Sequence, residues 1–345
     1  MEPGLKFVLP TGLLALTMIA AGACSSDGGS DETQPVGGGG VGAAGGASAT
    51  GGNVGGDGAA TSGGGTGATT SGGGAGTGGD GPTPSSGCGA TSWTDGGGVT
   101  IDVNGTDRYY RITLPDSYDS STPYQLVFVW HGQGGAADTI ADGYGGGYFK
   151  YSGLLDLAND GAIFVAGPGL GKPSGWPDNN GEDIDFAEAI LSSVTAEYCV
   201  DQERIFSTGM SYGGIMSNRV GCEMGDDVRA IAPIMGSGPI NAWSNPPGSG
   251  NCITYGTPTC VGQVAAWITH GRNDDVVDFC LGELTRDYWQ SDNSCSTTGT
   301  ANGVGECVEY DGCDPGYPVV WCPSDEDHSP PPYHAAEIWA FFSRF

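Results

Sequence analysis

The stretch Arg204-Ile-Phe-Ser-Thr-Gly-Met-Ser-Tyr-Gly-Gly214 decides the fold, because it places a serine between a short apolar run and a segment of small residues. Gly209 to Gly213 have the form G-x-S-x-G, in which the serine stands on a tight turn from a strand into a helix. Glycines flank such a turn because a Cβ there would collide with the neighbouring backbone. In a chain with 66 glycines this pattern alone is weak. It therefore needs support from the surrounding sequence.

The surrounding sequence alternates buried strands with helices. Continuous apolar runs bounded by proline or glycine are typical of strands covered on both faces, and apolar residues at helical spacing mark the helices. Strands are predicted at 109–114, 125–130, 162–166, 204–207, 230–234, 264–269 and 319–322, and helices at 183–198, 281–291 and 334–343. This order predicts an α/β fold with a mainly parallel sheet and helices on both faces.

The chain changes composition sharply near residue 88. Residues 28–87 contain 26 glycines and no Lys, Arg or aromatic residue, so they cannot bury enough apolar surface to offset the entropy of ordering. We expect a disordered glycine-rich linker over residues 24–87. The globular composition of residues 88–345 suits one α/β domain.

The N-terminus resembles an export signal, because Lys6 precedes an apolar stretch that is too short and broken to span a membrane comfortably. Residues 1–23 are therefore predicted to be a signal peptide. Ala21-Gly22-Ala23 fits ordinary signal peptidase, whereas Ala-Gly-Ala-Cys24 resembles a lipoprotein box without its leucine. We favour Cys24 as a lipidated first residue, with the freely secreted form as the alternative. Either places the protein outside the cell or on its surface.

The number of cysteines and the net charge further restrict the class of protein. The chain has 11 cysteines, and setting Cys24 aside leaves an even set of ten, which predicts up to five disulfides in an exported protein. Seven of these ten lie between Cys252 and Cys322, where we expect disulfides to hold an irregular insertion. The spacing of the cysteines and the four histidines argue against a metal site. The formal charge of −29 disfavours nucleic acid and anionic membrane surfaces as partners.

Ser211 is the candidate nucleophile, and a serine needs a base to remove its proton during attack. His131 and His270 each end a predicted strand, which leaves two histidines for this role. His328 lies in a loop after the last strand, from which it can reach the edge of the sheet. We predict His328 as the base, with His334 as the alternative.

A carboxylate should hold the histidine in its correct tautomer, and it should follow the strand at 264–269. Asp274 is the first choice, with Asp275 and Asp278 as alternatives. The oxyanion hole needs two backbone N–H groups. We predict those of Tyr212 and Gln133, the latter in the loop that His131 begins.

Two further residues are predicted to border a substrate. Trp176 lies in a loop before the helix at 183–198 and could stack on an aromatic or sugar group, or could instead pack on the core. His131 is predicted to shape the oxyanion loop and to lie beside the substrate.

Taken together, the chain resembles the extracellular α/β-hydrolase esterases that include feruloyl esterases and polyhydroxybutyrate depolymerases. The segments that carry the resemblance are Leu126-Val-Phe-Val-Trp-His-Gly-Gln-Gly-Gly135, Gly181-Glu-Asp-Ile-Asp-Phe186, Cys199 to Gly214, His270-Gly-Arg-Asn-Asp274 and His334 to Phe342. The resemblance implies the α/β-hydrolase fold and acyl transfer through an ester of Ser211, with no cofactor.

The resemblance also implies an ester substrate, and Glu182 to Phe186 look closer to the feruloyl esterase side. We therefore expect a serine esterase that releases hydroxycinnamic acids from plant cell-wall polysaccharide. A polyhydroxybutyrate depolymerase or an acetyl-xylan esterase is the alternative. A surface lipoprotein that keeps the fold only as a binding module is a third, remote possibility. The sequence leaves the oligomeric state open.

Overall fold

The computed structural model describes residues 81–143, 149–170, 174–177, 180–239, 241–244, 249–256 and 258–345. The predicted signal peptide, Cys24 and most of the glycine-rich linker lie outside the described residues. None of the helices in the described ranges combines the length and the apolar character that a bilayer crossing requires.

The described part of the chain contains one large sheet, a separate two-stranded ribbon and helices on both sides of the sheet. The strands are β1 (Gly97–Val103), β2 (Thr106–Thr113), β3 (Tyr124–Trp130), β4 (Ala162–Ala166), β5 (Val200–Met210), β6 (Ala230–Ile234), β7 (Asn241–Ser244), β8 (Cys252–Gly256), β9 (Ala265–Gly271), β10 (Gly299–Ala301), β11 (Val308–Tyr310) and β12 (Val319–Ser324). The helices are α1 (Ala137–Asp142), α2 (Leu154–Ala158), α3 (Glu182–Glu197), α4 (Tyr212–Glu223), α5 (Phe279–Asp292) and α6 (His334–Phe342).

The sheet has the order β1-β2-β4-β3-β5-β6-β9-β12-β11-β10. Its six central strands, from β4 to β12, run parallel, and the two strands added at each edge are antiparallel. Each predicted strand and helix is confirmed, with ends that move by four residues at most. The sequence analysis missed the short or edge elements β1, β7, β8, β10, β11, α1 and α2.

Two hydrophobic layers cover the sheet, and β3 shows how the sequence separates them. All seven residues of β3 are buried, and alternate side chains of a strand point to opposite faces. Leu126 and Phe128 belong to the layer under α3 and α4, whereas Val127 and Val129 belong to the layer under α6. This confirms the expected sheet with helices on both faces.

The domain begins a few residues before the predicted boundary at residue 88. The N–H of Ser85 donates to the carbonyl of Val200 at 2.8 Å, and that of Gln202 donates to the carbonyl of Thr83 at 2.8 Å. The segment from Thr83 to Gly87 therefore belongs to the domain and not to the linker. It joins β5 at its amino end, the end away from Ser211. Val200 and Gly209 of β5 pair with Tyr124 and Trp130 of β3. These two β3 residues are six positions, and therefore about 20 Å, apart along the strand.

Five disulfides confirm the pairing of all ten cysteines in the domain. They are Cys88–Cys199, Cys222–Cys260, Cys252–Cys280, Cys295–Cys313 and Cys307–Cys322. Four of them hold the region between α4 and the end of β12, which contains the β7–β8 ribbon and the β10–β11 extension of the sheet. The disulfides therefore concentrate in the part of the domain that begins at α4.

Candidate active site

Ser211 stands between β5 and α4 in a backbone conformation that few residues adopt. Its φ is 60° and its ψ is −120°, and a positive φ is unusual for a residue with a side chain. Two backbone hydrogen bonds hold the turn, from the N–H of Ser211 to the carbonyl of Ile234 at 2.9 Å and from the N–H of Ile215 to the carbonyl of Ser211 at 3.0 Å. A strained strand-to-helix turn with a serine at its tip is the geometry that a nucleophile elbow requires.

The glycines of the elbow are required by close backbone contacts. A Cβ on Gly209 would lie 2.6 Å from the carbonyl oxygens of Gly213 and Trp130. A Cβ on Gly213 would overlap the carbonyl oxygen of Trp130. The G-x-S-x-G pattern therefore reflects how closely α4 begins against the end of β3.

Asp274 lies in the loop after β9, with its side chain fully buried. Its Oδ1 accepts hydrogen bonds from the N–H groups of Val276 and Val277, both at 2.9 Å. Its Oδ2 lies 2.7 Å from Nδ1 of His328. Burial raises the pKa of the Asp274 carboxyl, but the hydrogen bonds from His270, His328, Val277 and Val276 outweigh it and hold the pKa well below its usual value. Asp274 is therefore an ionised acceptor.

His328 lies in the loop after β12, the strand that runs parallel to β9. The two loops are joined by hydrogen bonds from the N–H of Arg272 to the carbonyl of Ser324 at 2.8 Å and from the N–H of Asn273 to that of Glu326 at 3.1 Å. Since neighbouring parallel strands end at the same edge of a sheet, this pairing brings Asp274 and His328 together. The side chain of His328 is 19% exposed, so part of the imidazole faces outward.

The alternative triad members are placed elsewhere. Asp275 is exposed, and the carboxylate of Asp278 accepts a hydrogen bond from the N–H of Gly250 at 3.2 Å. His334 begins α6, is buried, and its Nδ1 donates to the carbonyl of Pro331 at 2.8 Å. Among the described residues, His328 and His270 are the histidines that approach Asp274.

The loop after β3 lies beside the elbow, as an oxyanion loop must. A Cβ built on Gly132 would lie 3.6 Å from Cβ of Ser211. Within the described ranges, the N–H groups of Gln133 and Tyr212 donate to no other group. Tyr212 is the first residue of α4, and the free N–H groups at a helix N-terminus favour negative charge. Tyr212 and Gln133 therefore remain the candidate oxyanion donors.

The structure does not support direct substrate contact by His131 or Trp176. Trp176 is only 3% exposed, and its Nε1–H donates to the carbonyl of His131 at 2.9 Å. The ring of His131 is fully buried, and its Nδ1 donates to the carbonyl of Gly132 at 2.7 Å while its Nε2 accepts from the N–H of Gly169 at 3.0 Å. Burial lowers the pKa of His131 against the opposing effect of the Gly132 bond, so the ring is neutral. Both residues instead hold the oxyanion loop in place.

His270 is a site residue that the sequence analysis missed. Its Nε2 lies 3.4 Å from Oδ2 of Asp274, and both side chains are fully buried. The signal was present in His270-Gly-Arg-Asn-Asp274, where a polar ring precedes the acid by four residues. Because His270 ends a predicted strand, it was excluded as the base and given no other role.

No three His, Cys, Asp or Glu side chains of the described ranges come together in a way that could hold a metal ion. The arrangement offers a serine on a strained turn, a histidine paired with a buried carboxylate, and two backbone N–H groups, and groups of these types suit acyl transfer.

The chain is similar to known proteins in both sequence and fold. Feruloyl esterase D of Neurospora crassa is 35% identical over 280 residues, which cover 76% of this chain and 91% of that protein. Feruloyl esterase C of Emericella nidulans is 32% identical over 269 residues, or 75% of this chain and 90% of that protein. An acetyl xylan esterase from Aspergillus awamori shares the fold, with a TM-score of 0.55 at 15% identity over 72% of this chain and 100% of that chain.

No family model matches the chain. The extent of the first similarity nevertheless settles the relationship, because it covers three quarters of this chain and nearly all of the relative. The chain belongs to the feruloyl esterase family of carboxylic ester hydrolases, which have the α/β-hydrolase fold.

Proposed function

We propose that this protein is a feruloyl esterase that cleaves its substrate through a covalent ester of Ser211. The observation that carries the proposal is the hydrogen bond between Nδ1 of His328 and Oδ2 of Asp274, at 2.7 Å, in loops beside the strained serine turn. The relatives named feruloyl esterases supply the substrate class.

Acylation begins when the Ser211 hydroxyl attacks the ester carbonyl carbon. His328 accepts the hydroxyl proton at Nε2, and the carboxylate of Asp274 stabilises the imidazolium that forms. The negative charge that develops on the former carbonyl oxygen is stabilised by the N–H groups of Tyr212 and Gln133. The alcohol of the substrate leaves with the proton from His328, and the acyl group remains on Ser211.

Deacylation repeats these steps with water. His328 removes a proton from the water molecule as it attacks the acyl carbon, and the same N–H groups stabilise the second oxyanion. Collapse of this intermediate breaks the bond to Ser211 Oγ, which regains its proton from His328. The carboxylic acid is released and the enzyme returns to its starting state.

The substrate class is tested with three esters and one control variant. Hydrolysis of methyl ferulate, a 3-hydroxybutyrate oligomer and acetylated xylan is compared for the domain from residue 81 onward, produced under oxidising conditions. A higher kcat/KM for methyl ferulate supports the proposal, whereas preference for the oligomer or for acetylated xylan overturns the substrate assignment. Ser211→Ala must abolish all hydrolysis, since retained activity would overturn the mechanism.

A second experiment tests the alternative that the domain binds a ligand without catalysing a reaction. A fluorophosphonate reacts with an activated serine and adds a fixed mass to the intact protein. We expect labelling of the wild type and none of Ser211→Ala. Folded wild-type protein that stays unlabelled would contradict the enzyme mechanism itself.

We infer that the protein is exported and held at the cell surface through Cys24. Five disulfides in the domain support an oxidising compartment. The chain enters the domain at Thr83 to Gly87, which pair with β5 at the end away from Ser211. Membrane association of the full-length protein that Cys24→Ala abolishes would support this, and release of the unmodified protein into the medium would contradict it.

A further inference from the structure

His270 lies near the end of β9, four residues before Asp274. It is the penultimate residue of β9 and is fully buried. Its Nε2 lies 2.7 Å from the carbonyl oxygen of Val277 and 3.4 Å from Oδ2 of Asp274. One ring atom therefore contacts both the first and the last residue of the segment from Asp274 to Val277.

The proton of the ring must lie on Nε2. A carbonyl oxygen can only accept a hydrogen bond, so the short contact with Val277 requires Nε2 to be the donor. Nδ1 is buried and has no hydrogen-bond partner among the described residues. A Cβ on Gly282 of α5 would lie 2.7 Å from Cβ of His270 and even closer to Nδ1, so the helix backbone covers that edge of the ring. A proton on Nδ1 would be a buried donor without an acceptor, which is unfavourable.

The segment that His270 closes is the one that holds the triad acid. Oδ1 of Asp274 is fixed by the N–H groups of Val276 and Val277, and these stay in place only while the turn is closed. The bond from His270 to the carbonyl of Val277 ties the far end of this turn to β9. Nε2 of His270 also lies near Oδ2 of Asp274, the same oxygen that contacts Nδ1 of His328.

We propose that His270 is a positioning residue of the esterase reaction, which closes the turn from Asp274 to Val277 and fixes the plane of the Asp274 carboxylate toward His328. This inference rests on the proposed function, because it assigns His270 to the same triad. His270 contacts no reacting atom, so it acts through Asp274. Its contribution is orientation, and the misplacement of a catalytic group by about 1 Å can cost about 10²-fold in rate.

The test compares two substitutions of His270 that differ in their ability to donate. His270→Leu removes the donor, and we expect kcat on methyl ferulate to fall by about 10²-fold with little change in KM. His270→Gln can place an amide N–H near the position of Nε2, and we expect it to recover most of the lost kcat. Melting temperatures of both variants show whether they are folded. A folded His270→Leu with wild-type kcat, or equal losses for Leu and Gln, would overturn the proposal.

A double-mutant cycle separates positioning from general stability. If His270 acts only through Asp274, then adding His270→Leu to Asp274→Asn should lower kcat no further. Thr285→Val is the matched control, because Thr285 is also buried in this region but bonds the carbonyl of Leu281 within α5. Its effect should be the same in both backgrounds. Equal effects of His270→Leu in both backgrounds would contradict the inference.

The outcome for His270 can be distinguished from that for the triad. Loss of activity in Ser211→Ala together with normal kcat in His270→Leu rejects only the positioning role. Retained activity in Ser211→Ala rejects the proposed mechanism whatever His270 does.

Discussion

Nδ1 of His328 lies 2.7 Å from Oδ2 of Asp274, and the carboxylate side of this pair is fully buried while the imidazole is 19% exposed. The two residues are 54 positions apart in the chain, and the parallel pairing of β9 with β12 brings their loops together. The buried partner accepts three hydrogen bonds, from the N–H groups of Val276 and Val277 and from Nδ1 of His328, and Nε2 of His270 lies 3.4 Å from its Oδ2. In the proposed mechanism, the partly exposed imidazole of His328 exchanges protons with Ser211 and the substrate.

Asp274→Asn should lower kcat by about 10³- to 10⁴-fold, because an amide can neither fix the donor tautomer of His328 nor stabilise its imidazolium. Steady-state hydrolysis of methyl ferulate measures this. Asp275→Asn is the matched control, since Asp275 is the exposed neighbour, and it should keep wild-type kcat. A larger loss in Asp275→Asn than in Asp274→Asn would reassign the triad.

The low pKa of Asp274 predicts how stability depends on pH. Burial raises this pKa, but hydrogen bonds from His270, His328 and two backbone N–H groups lower it well below 3.8. A carboxyl whose pKa is lower in the folded state binds more protons when unfolded, so it stabilises the fold above its unfolded pKa and this contribution is lost as pH falls. The stabilisation that this carboxyl gives to the wild type relative to Asp274→Asn should therefore still be present at pH 5, above the unfolded pKa.

The same advantage should shrink at pH 3, where the unfolded carboxyl begins to bind its proton. Urea unfolding at pH 5 and at pH 3 measures the difference between the two proteins. An advantage that grew toward pH 3 would mean that the folded carboxyl is easier to protonate than the unfolded one, contrary to the hydrogen bonds around Asp274.

Gly213→Ala should destabilise the elbow, since the new Cβ would overlap the carbonyl oxygen of Trp130. Neither backbone can move without shifting Ser211 or β3, so we expect a loss of about 1–3 kcal/mol in stability together with a large loss of kcat. Thermal unfolding and fluorophosphonate labelling report the two effects separately. Gly81→Ala meets no atom within 4 Å and should behave as the wild type.

The candidate site residues that could be predicted from the sequence are those for which the residue type and the position after a strand leave few alternatives. Ser211 is marked by the glycines that its turn requires, and His328 and Asp274 follow adjacent strands of the parallel sheet. The strands β4 and β6 were predicted to the residue, because their apolar runs are buried on both faces.

Burial of individual loop side chains was not predictable in the same way. Trp176 has the same sequence context whether it stacks on a substrate or packs under His131, and only the three-dimensional path of the loop decides between them. The strands β10 and β11 have three residues each and no buried side chain. They carry too little hydrophobic pattern to be recognised from the sequence.

Trp176→Phe tests the new assignment of this residue. Loss of the Nε1–H would leave the carbonyl of His131 without its buried donor, so we expect a loss of about 1 kcal/mol in stability. The fold reduction in kcat should be the same for methyl ferulate and p-nitrophenyl acetate, because the effect is on the oxyanion loop. Trp93→Phe, at a residue that is 37% exposed, should change neither. A loss confined to methyl ferulate would restore direct stacking on the aromatic ring.

Whether removal of a disulfide lowers stability alone, or kcat as well, should depend on where that disulfide lies in the fold. Cys88–Cys199 closes a separation of 111 residues at the amino end of β5, so replacing both cysteines by alanine should cost about 4–5 kcal/mol in stability and leave kcat unchanged in the protein that remains folded. Cys307–Cys322 closes only 15 residues, which corresponds to about 3 kcal/mol. Cys322 lies in β12 opposite Thr269 of β9, on the strand that delivers His328. Its removal should therefore lower kcat as well, and equal kcat in the two double variants would show that β12 holds His328 without help from this disulfide.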